Sequence, residues 1–318
     1  MRSVRVAGVG VAVAGLMLGS TAVAQEVRRP VFKSSTSLVA LNVIVTNPEQ
    51  GYASGLTRDD FEVFEDGVQQ QVEFFAATDV PLDLILLIDG STSMRDTMPV
   101  VRRAANGFIN TMRPGDRAAI VSFSDGVRVL QPLTSDQASV RAAVESISAK
   151  GATALHNAIY VALKEFGRPA AADGEVRRQA IAVLSDGEDT SSLISFDDVL
   201  DMAKRSGVSI YTIGMRSDFA PRADGTRRYF SQADYAMKQL ASETGARPFF
   251  PERVEELDGV YAAIATELSS QYSIGYVPRN VRDDGRYRRV IVRVSERPDL
   301  RPRTRTGYFL PAEESVAR

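Results

Sequence analysis

The stretch LDLILLIDGSTSM, residues 82–94, decides how this chain is read. Leu82 to Leu87, with Asp83 among them, form an apolar run that Ile88 extends, which is the pattern of a strand buried in a sheet. Asp89, Ser91, Thr92 and Ser93 then crowd the point where that strand stops. A carboxylate and three hydroxyls there serve either as a turn and helix cap or as a set of oxygen donors.

The chain has 318 residues, 44% hydrophobic and 25% charged, with no tryptophan and no cysteine, so the apolar material suffices for a core and one large domain or two unequal ones are expected. Its formal charge of -2 gives no general attraction to nucleic acid. Arg2 and Arg5 precede the run VAGVGVAVAGLMLGSTAVA, which ends in Ala22-Val23-Ala24. A basic start, a short apolar middle and a small-x-small end imply a secretory signal over 1–24, cleaved after Ala24. The run is short of the roughly 20 strongly apolar residues a span needs, so no stable membrane span is expected after cleavage. The expected location is therefore secreted or periplasmic.

Residues 25–79 read as a small β unit. SLVALNVIVTN (37–47) is apolar on both faces, Thr57 with Asp60 suits the cap of a short turn, and Asp66-Gly67 sits between Phe61-Val63 and Val68-Val72-Phe74 as a hairpin turn. Over 80–270 strands alternate with helices: strands at 118–124, 178–189 and 208–214, and helices at 135–147, 152–166, 195–207 and 254–272. The class is α/β, a doubly wound, mostly parallel sheet of Rossmann-like form. Residues 271–318 return to β, with an Asp-Asp-Gly turn at 283–285 and Val290, Val292 and Val294 on one strand face; this segment is expected to pair with 37–75. The tail RPDLRPRTRTGY (297–308) reads as a solvated, charged edge rather than a polyanion site.

In an open parallel sheet, ligands sit beyond the carboxyl ends of the strands. Asp89 ends one strand, Asp186 in VLSDGED ends another, and Thr153 in KGATAL opens a helix. Converging, they offer two carboxylates and the hydroxyls of Ser91, Ser93 and Thr153. Hard oxygen donors without His or Cys suit Mg²⁺, Mn²⁺ or Ca²⁺. Two carboxylates balance the charge while neutral hydroxyls leave the ion electrophilic, with a position for a carboxylate from another molecule.

The DGSTS sequence resembles the D-x-S-x-S motif of von Willebrand factor type A domains, and residues from about 80 to 268 are similar to that family in their order of elements. The resemblance implies a metal-ion-dependent adhesion site made by Asp89, Ser91 and Ser93, then Thr153, then Asp186, holding Mg²⁺ or Mn²⁺. It also implies direct binding by both serines, with Thr153 and Asp186 exchanging direct for water-mediated contact between two states. LTRDDFEVFEDG before the domain, with QYSIGYVP and RTRTGY after it, resemble secreted bacterial VWFA-related proteins.

Enzymatic readings fare worse. A haloacid-dehalogenase-like D-x-D-x-T motif would need an acid where Ser91 stands. No G-x-S-x-G elbow and no phosphate-binding G-x-x-x-x-G-K-[ST] loop occur, and the single histidine, His156, reads as a helix-surface or packing residue. A metal-dependent hydrolase would have only Glu188 as general base. The long connection 215–235 leaves the same sheet edge, and its Phe219, Arg222, Arg227, Arg228 and Tyr229 are expected to shape a partner surface. The expected function is an exported, metal-dependent protein-binding module and not an enzyme. The alternative is a structural or assembly protein of the cell envelope whose metal only steadies the fold.

Overall fold

The computed structural model describes residues 38–49, 51–77, 80–166, 177–185, 188–215, 231–280 and 285–309. The signal segment and the partner-surface residues 219, 222 and 227–229 lie outside this set, as do Asp186 and most of the 283–285 turn.

A six-stranded sheet is built on β5 (Leu82–Asp89), with β6 (Arg117–Phe123) on one side and β8 (Arg178–Ser185) on the other, both parallel to it. Beyond β8 lie β9 (Ser209–Gly214) and the short β10 (Pro248–Phe249), both parallel; beyond β6 lies β7 (Val127–Thr134), antiparallel. All eight residues of β5 are buried. Their side chains alternate between two cores, as strand geometry requires. Leu82, Leu84, Leu86 and Ile88 join residues of α1 (Met98–Ile109), α2 (Gln137–Glu145) and α6 (Leu257–Ser269). Ile85 and Leu87 join residues of α3 (Leu155–Phe166), α4 (Phe196–Ser206) and α5 (Gln232–Glu243). Each such side chain contributes about 1.5–3 kcal/mol by leaving water.

Local chemistry sets the helix ends. Asp136 caps α2 by accepting from Ala138 N–H, and Ser195 caps α4 by accepting from Asp198 N–H. Gly207 closes α4 in the left-handed region, at φ 73°, where an L side chain is strained. Two expectations need correction. The edge strand β7 was not anticipated, because its residues are only half-buried and carry no clean alternation. The connection expected over 215–235 ends earlier: Ser231 and Asp234 form a capping box that starts α5.

The N- and C-terminal segments together build two further sheets. One has the order β13 (Arg301–Arg303), β1 (Val39–Thr46), β11 (Tyr272–Tyr276), β4 (Val72–Ala76). The other runs β14 (Gly307–Phe309), β12 (Tyr287–Val294), β2 (Phe61–Glu65), β3 (Val68–Gln70). They share one core, in which Leu41, Val43 and Ile274 meet Val63, Val290 and Val292. Asp66 and Gly67 turn β2 into β3 with φ of 48° and 83°, as the tightest hairpin turns need. The hairpin is shorter than the sequence suggested: β3 pairs with β2, whereas β4 crosses to pair with β11 in the other sheet.

The arginine tail also departs from expectation. β13 is an edge strand, but Arg303 turns inward to donate to Glu267, a fully buried carboxylate on α6. Charge pairing outweighs solvation there because Glu267 has been removed from water.

Glu65 is the sandwich's own buried acid, 3% exposed. It accepts from the hydroxyls of Tyr276 at 2.8 Å and Tyr308 at 2.7 Å, and pairs with Arg288 at 3.3 Å. Burial pushes both phenols well up, so they remain donors. Replacing Glu65 by Ala removes the buried carboxylate beside Arg288 and the acceptor of two hydroxyls; urea unfolding is expected to show a loss of about 3–5 kcal/mol.

Candidate functional site

The carboxyl end of β5 carries Asp89, with no exposed surface. Its Oδ1 accepts from Ser91 N–H at 2.7 Å and its Oδ2 from the Ser185 hydroxyl at 2.6 Å. Ser185 is the last residue of β8, so one carboxylate joins the ends of two neighbouring strands. After Asp89 the chain makes a short 3₁₀ turn, Thr92–Met94. Ser91 stands at its N-cap position, but its side chain makes no capping bond, and α1 begins only after Thr97. The capping explanation of Ser91 therefore fails. Its Oγ instead lies 2.9 Å from that of Ser93. Ser91 is buried and Ser93 exposed, so the pair runs outward from the sheet edge.

The second loop is fastened to the first by backbone. Lys150 N–H donates to Gly90 C=O at 2.7 Å, and Thr92 N–H donates to Gly151 C=O at 3.0 Å. Gly151 has φ +88° and lies against Asp125, whose carboxylate would be 2.3 Å from an added Cβ. That close approach lets Asp125 accept from Ala152 N–H, which leads the chain into Thr153. Thr153 is buried, and it binds the third loop from both sides of its peptide: its N–H donates to the Thr190 hydroxyl at 3.0 Å, and its C=O accepts from Thr190 and Ser191 N–H. Three loops distant in sequence are thus hydrogen-bonded together, with Asp89, Ser91, Ser93 and Thr153 in them. Asp186, one residue beyond Ser185, lies outside the described residues.

The donor chemistry fits a small hard cation. Among the described residues no group of three His, Cys, Asp or Glu side chains converges, so a cation held here would need hydroxyls as well as carboxylate. Adjacent oxygens around an octahedral ion with bonds of about 2.0–2.1 Å stand about 2.9 Å apart. The Ser91 and Ser93 hydroxyls hydrogen-bond to each other at 2.9 Å, a separation that also equals that edge.

Sequence reasoning missed what lies beside this site. α5 forms a wall of a cavity of about 560 Å³, floored by Leu155, Ile159, Val183 and Leu240 and bordered by His156 and Glu188. Reading 231–235 as loop hid that wall; the Ser231/Asp234 spacing was the signal available. His156 packs on Phe196 and places its backbone N–H 2.8 Å from Asp189.

A family model described as von Willebrand factor type A domain matches residues 83–263, more than half of the chain. The chain belongs to this family. Domains of the von Willebrand factor type A family generally mediate protein–protein interaction. The chain is 26% identical over 208 residues to a UPF0353 protein of Mycobacterium marinum, a match covering 61% of this chain and 60% of that relative. It therefore spans about 60% of the length of the curated relatives it matches. Among solved structures, a von Willebrand factor type A protein from Catenulispora acidiphila superposes with a TM-score of 0.51 at 14% identity, covering 83% of this chain and 72% of that one. Proximal thread matrix protein 1 from the mussel byssus gives 0.50 at 14% identity, covering 64% and 50%. These likenesses show the fold. Among the described residues no helix is long and apolar enough to cross a membrane.

Asp189 stiffens the third loop. Burial raises its carboxyl pKa, but bonds from His156 N–H and from Ser192 outweigh this and leave it below the ordinary value. A depressed carboxyl contributes stability that is present above the unfolded pKa, about 3.9, and is lost as pH falls through the folded one. Urea unfolding of Asp189→Asn is expected to show a deficit of about 1–2 kcal/mol at pH 7, narrowing below about pH 4.

Proposed function

We propose that this von Willebrand factor type A domain is an exported, metal-ion-dependent protein-binding module, with no catalytic role. Asp89, Ser91, Ser93 and Thr153, with Asp186 after β8, would hold Mg²⁺ or Mn²⁺, and a partner's Asp or Glu carboxylate would complete the coordination. One observation carries the reading: Ser91 and Ser93 hold their hydroxyls an octahedral edge apart at the open end of β5, and Ser91 caps nothing. Export rests on the basic, apolar, Ala-x-Ala pattern of residues 1–24.

The ion would supply Lewis acidity toward an incoming carboxylate. The protein's part is positioning. Asp89 is held in place by the bonds from Ser91 and Ser185, and the backbone bonds between loops keep Thr153 near the serines. Leu193, 95% exposed in the third loop, and Tyr235, 61% exposed at the start of α5, offer apolar contact area for a partner protein.

The hydrogen bonds that join the three loops support a second reading, an envelope structural or assembly protein whose metal only steadies the fold. Metal titration tests the ion's binding, and partner capture separates the two readings. Mg²⁺ at 100 times its Kd is expected to stabilise the chain by about 2.7 kcal/mol, a gain that EDTA reverses. Asp89→Ala should abolish the gain; Ser93→Ala, which alters an exposed hydroxyl, should weaken it with the fold intact. A melting temperature indifferent to Mg²⁺, Mn²⁺ and EDTA overturns the metal site. Capture of partners from an extract by the immobilised chain is expected to fail in EDTA and return with Mg²⁺. Capture that persists in EDTA favours the structural reading.

A further inference from the structure

The turn between β6 and β7, residues 124–126, carries none of the residues proposed to hold the ion, yet it grips one of the loops that do. Three successive backbone N–H groups around Thr153 are bonded. Ala152 donates to Asp125 Oδ1 at 2.5 Å, Thr153 to the Thr190 hydroxyl at 3.0 Å, and Ala154 to the Ser124 C=O at 2.9 Å. Two of these three acceptors belong to the β6–β7 turn, and they lie on either side of Thr153 along the chain.

Asp125 is the member that local structure does not explain. It is exposed, so burial of its side chain does not account for it. An Asp-Gly pair after a strand ordinarily serves its own turn. Here the turn is closed by backbone, with Ser124 N–H donating to Gly126 C=O at 3.0 Å, and the carboxylate reaches 27 residues along the chain to Ala152. An N–H bond to a charged acceptor is worth about 1.5–3 kcal/mol. Gly151 permits the reach, because a Cβ there would collide with that carboxylate. Its C=O accepts from both the N–H and the hydroxyl of Thr92.

The peptide groups of Thr153 itself bond only toward residues 190 and 191. A segment held on one side pivots about that contact; bonds at both neighbours stop the pivot and fix the direction in which the Thr153 side chain leaves. A group that is to meet a small cation needs placement to within about 0.5 Å. We propose that Asp125 is a positioning residue of the cation site, setting Thr153 through the Ala152 amide rather than serving as a ligand. The inference rests on the metal reading and adds to it a residue outside the five proposed to hold the ion.

Titration of the full chain with Mn²⁺, with free ion read by electron paramagnetic resonance, tests the role in wild type, Asp125→Ala and Asp125→Asn. Loss of a group that supports a metal ligand lowers affinity about 10–100-fold. Asp125→Ala is expected to weaken Mn²⁺ binding at least about tenfold. Asp125→Asn, whose amide oxygen still accepts from Ala152, should recover most of that loss. Equal losses in the two variants assign Asp125 to the charge of the site and overturn positioning, as does unchanged affinity in Asp125→Ala; both leave the metal reading standing. Amide hydrogen exchange in EDTA supplies a readout without metal: Asp125→Ala should speed exchange at Thr153 and Ala154, and Asp125→Asn should not. No saturable Mn²⁺ binding by the wild type overturns the metal reading instead. The hold on Thr153 is then decided by exchange alone, and unchanged protection in Asp125→Ala overturns it.

Discussion

A carboxylate with no exposed surface, at the end of a strand buried on both faces, is the constraint on which the rest of the molecule depends. Asp89 cannot turn to water, and each of its oxygens is met by a donor, Ser91 N–H on one side and the Ser185 hydroxyl on the other. The first bond shapes the loop that carries Ser91 and Ser93. The second fixes the end of β8, from which the third loop departs. The strand beneath is anchored by side chains entering two separate cores, so the carboxylate sits at the end of a strand packed from both sides.

The opposite end of the sheet is organised by charge of the other sign. Asp83, nearly buried at the start of β5, pairs with Arg117 and Arg177, and Arg178 reaches the C-terminal end of α6. Glu267 on that helix pairs with Arg303 of the sandwich. Such pairs cost desolvation and add little net stability against apolar packing, but they are directional, and the Glu267–Arg303 pair fixes α6 against the sandwich. The apolar cores alone would tolerate more than one arrangement.

Much of this was legible in the sequence. The Leu82–Ile88 run, the alternation of strands and helices after it, the Asp66-Gly67 turn and the N-cap at Ser195 are local signals, and each lies where its chemistry placed it. β7 and α5 were not legible in the same way. β7 is half-buried along its length, so its stability comes from pairing with β6 rather than from a side-chain pattern. The start of α5 carried a capping signal in Ser231 and Asp234, masked by the polar, arginine-rich residues before it.

The same division holds at the candidate site. Residue type and spacing alone determined that the end of β5 gathers hard oxygen donors, because a turn of five residues brings its own side chains together whatever surrounds it. Whether those hydroxyls cap a helix or face one another was decided by the tertiary structure, through the Gly151 and Thr190 contacts that bind the loops. The arginine tail makes the point more sharply. As sequence it is a solvated edge; folded, Arg303 is pulled to a buried glutamate and Arg305 over the ring of Tyr308, because partners remote along the chain determine how much water a charge keeps.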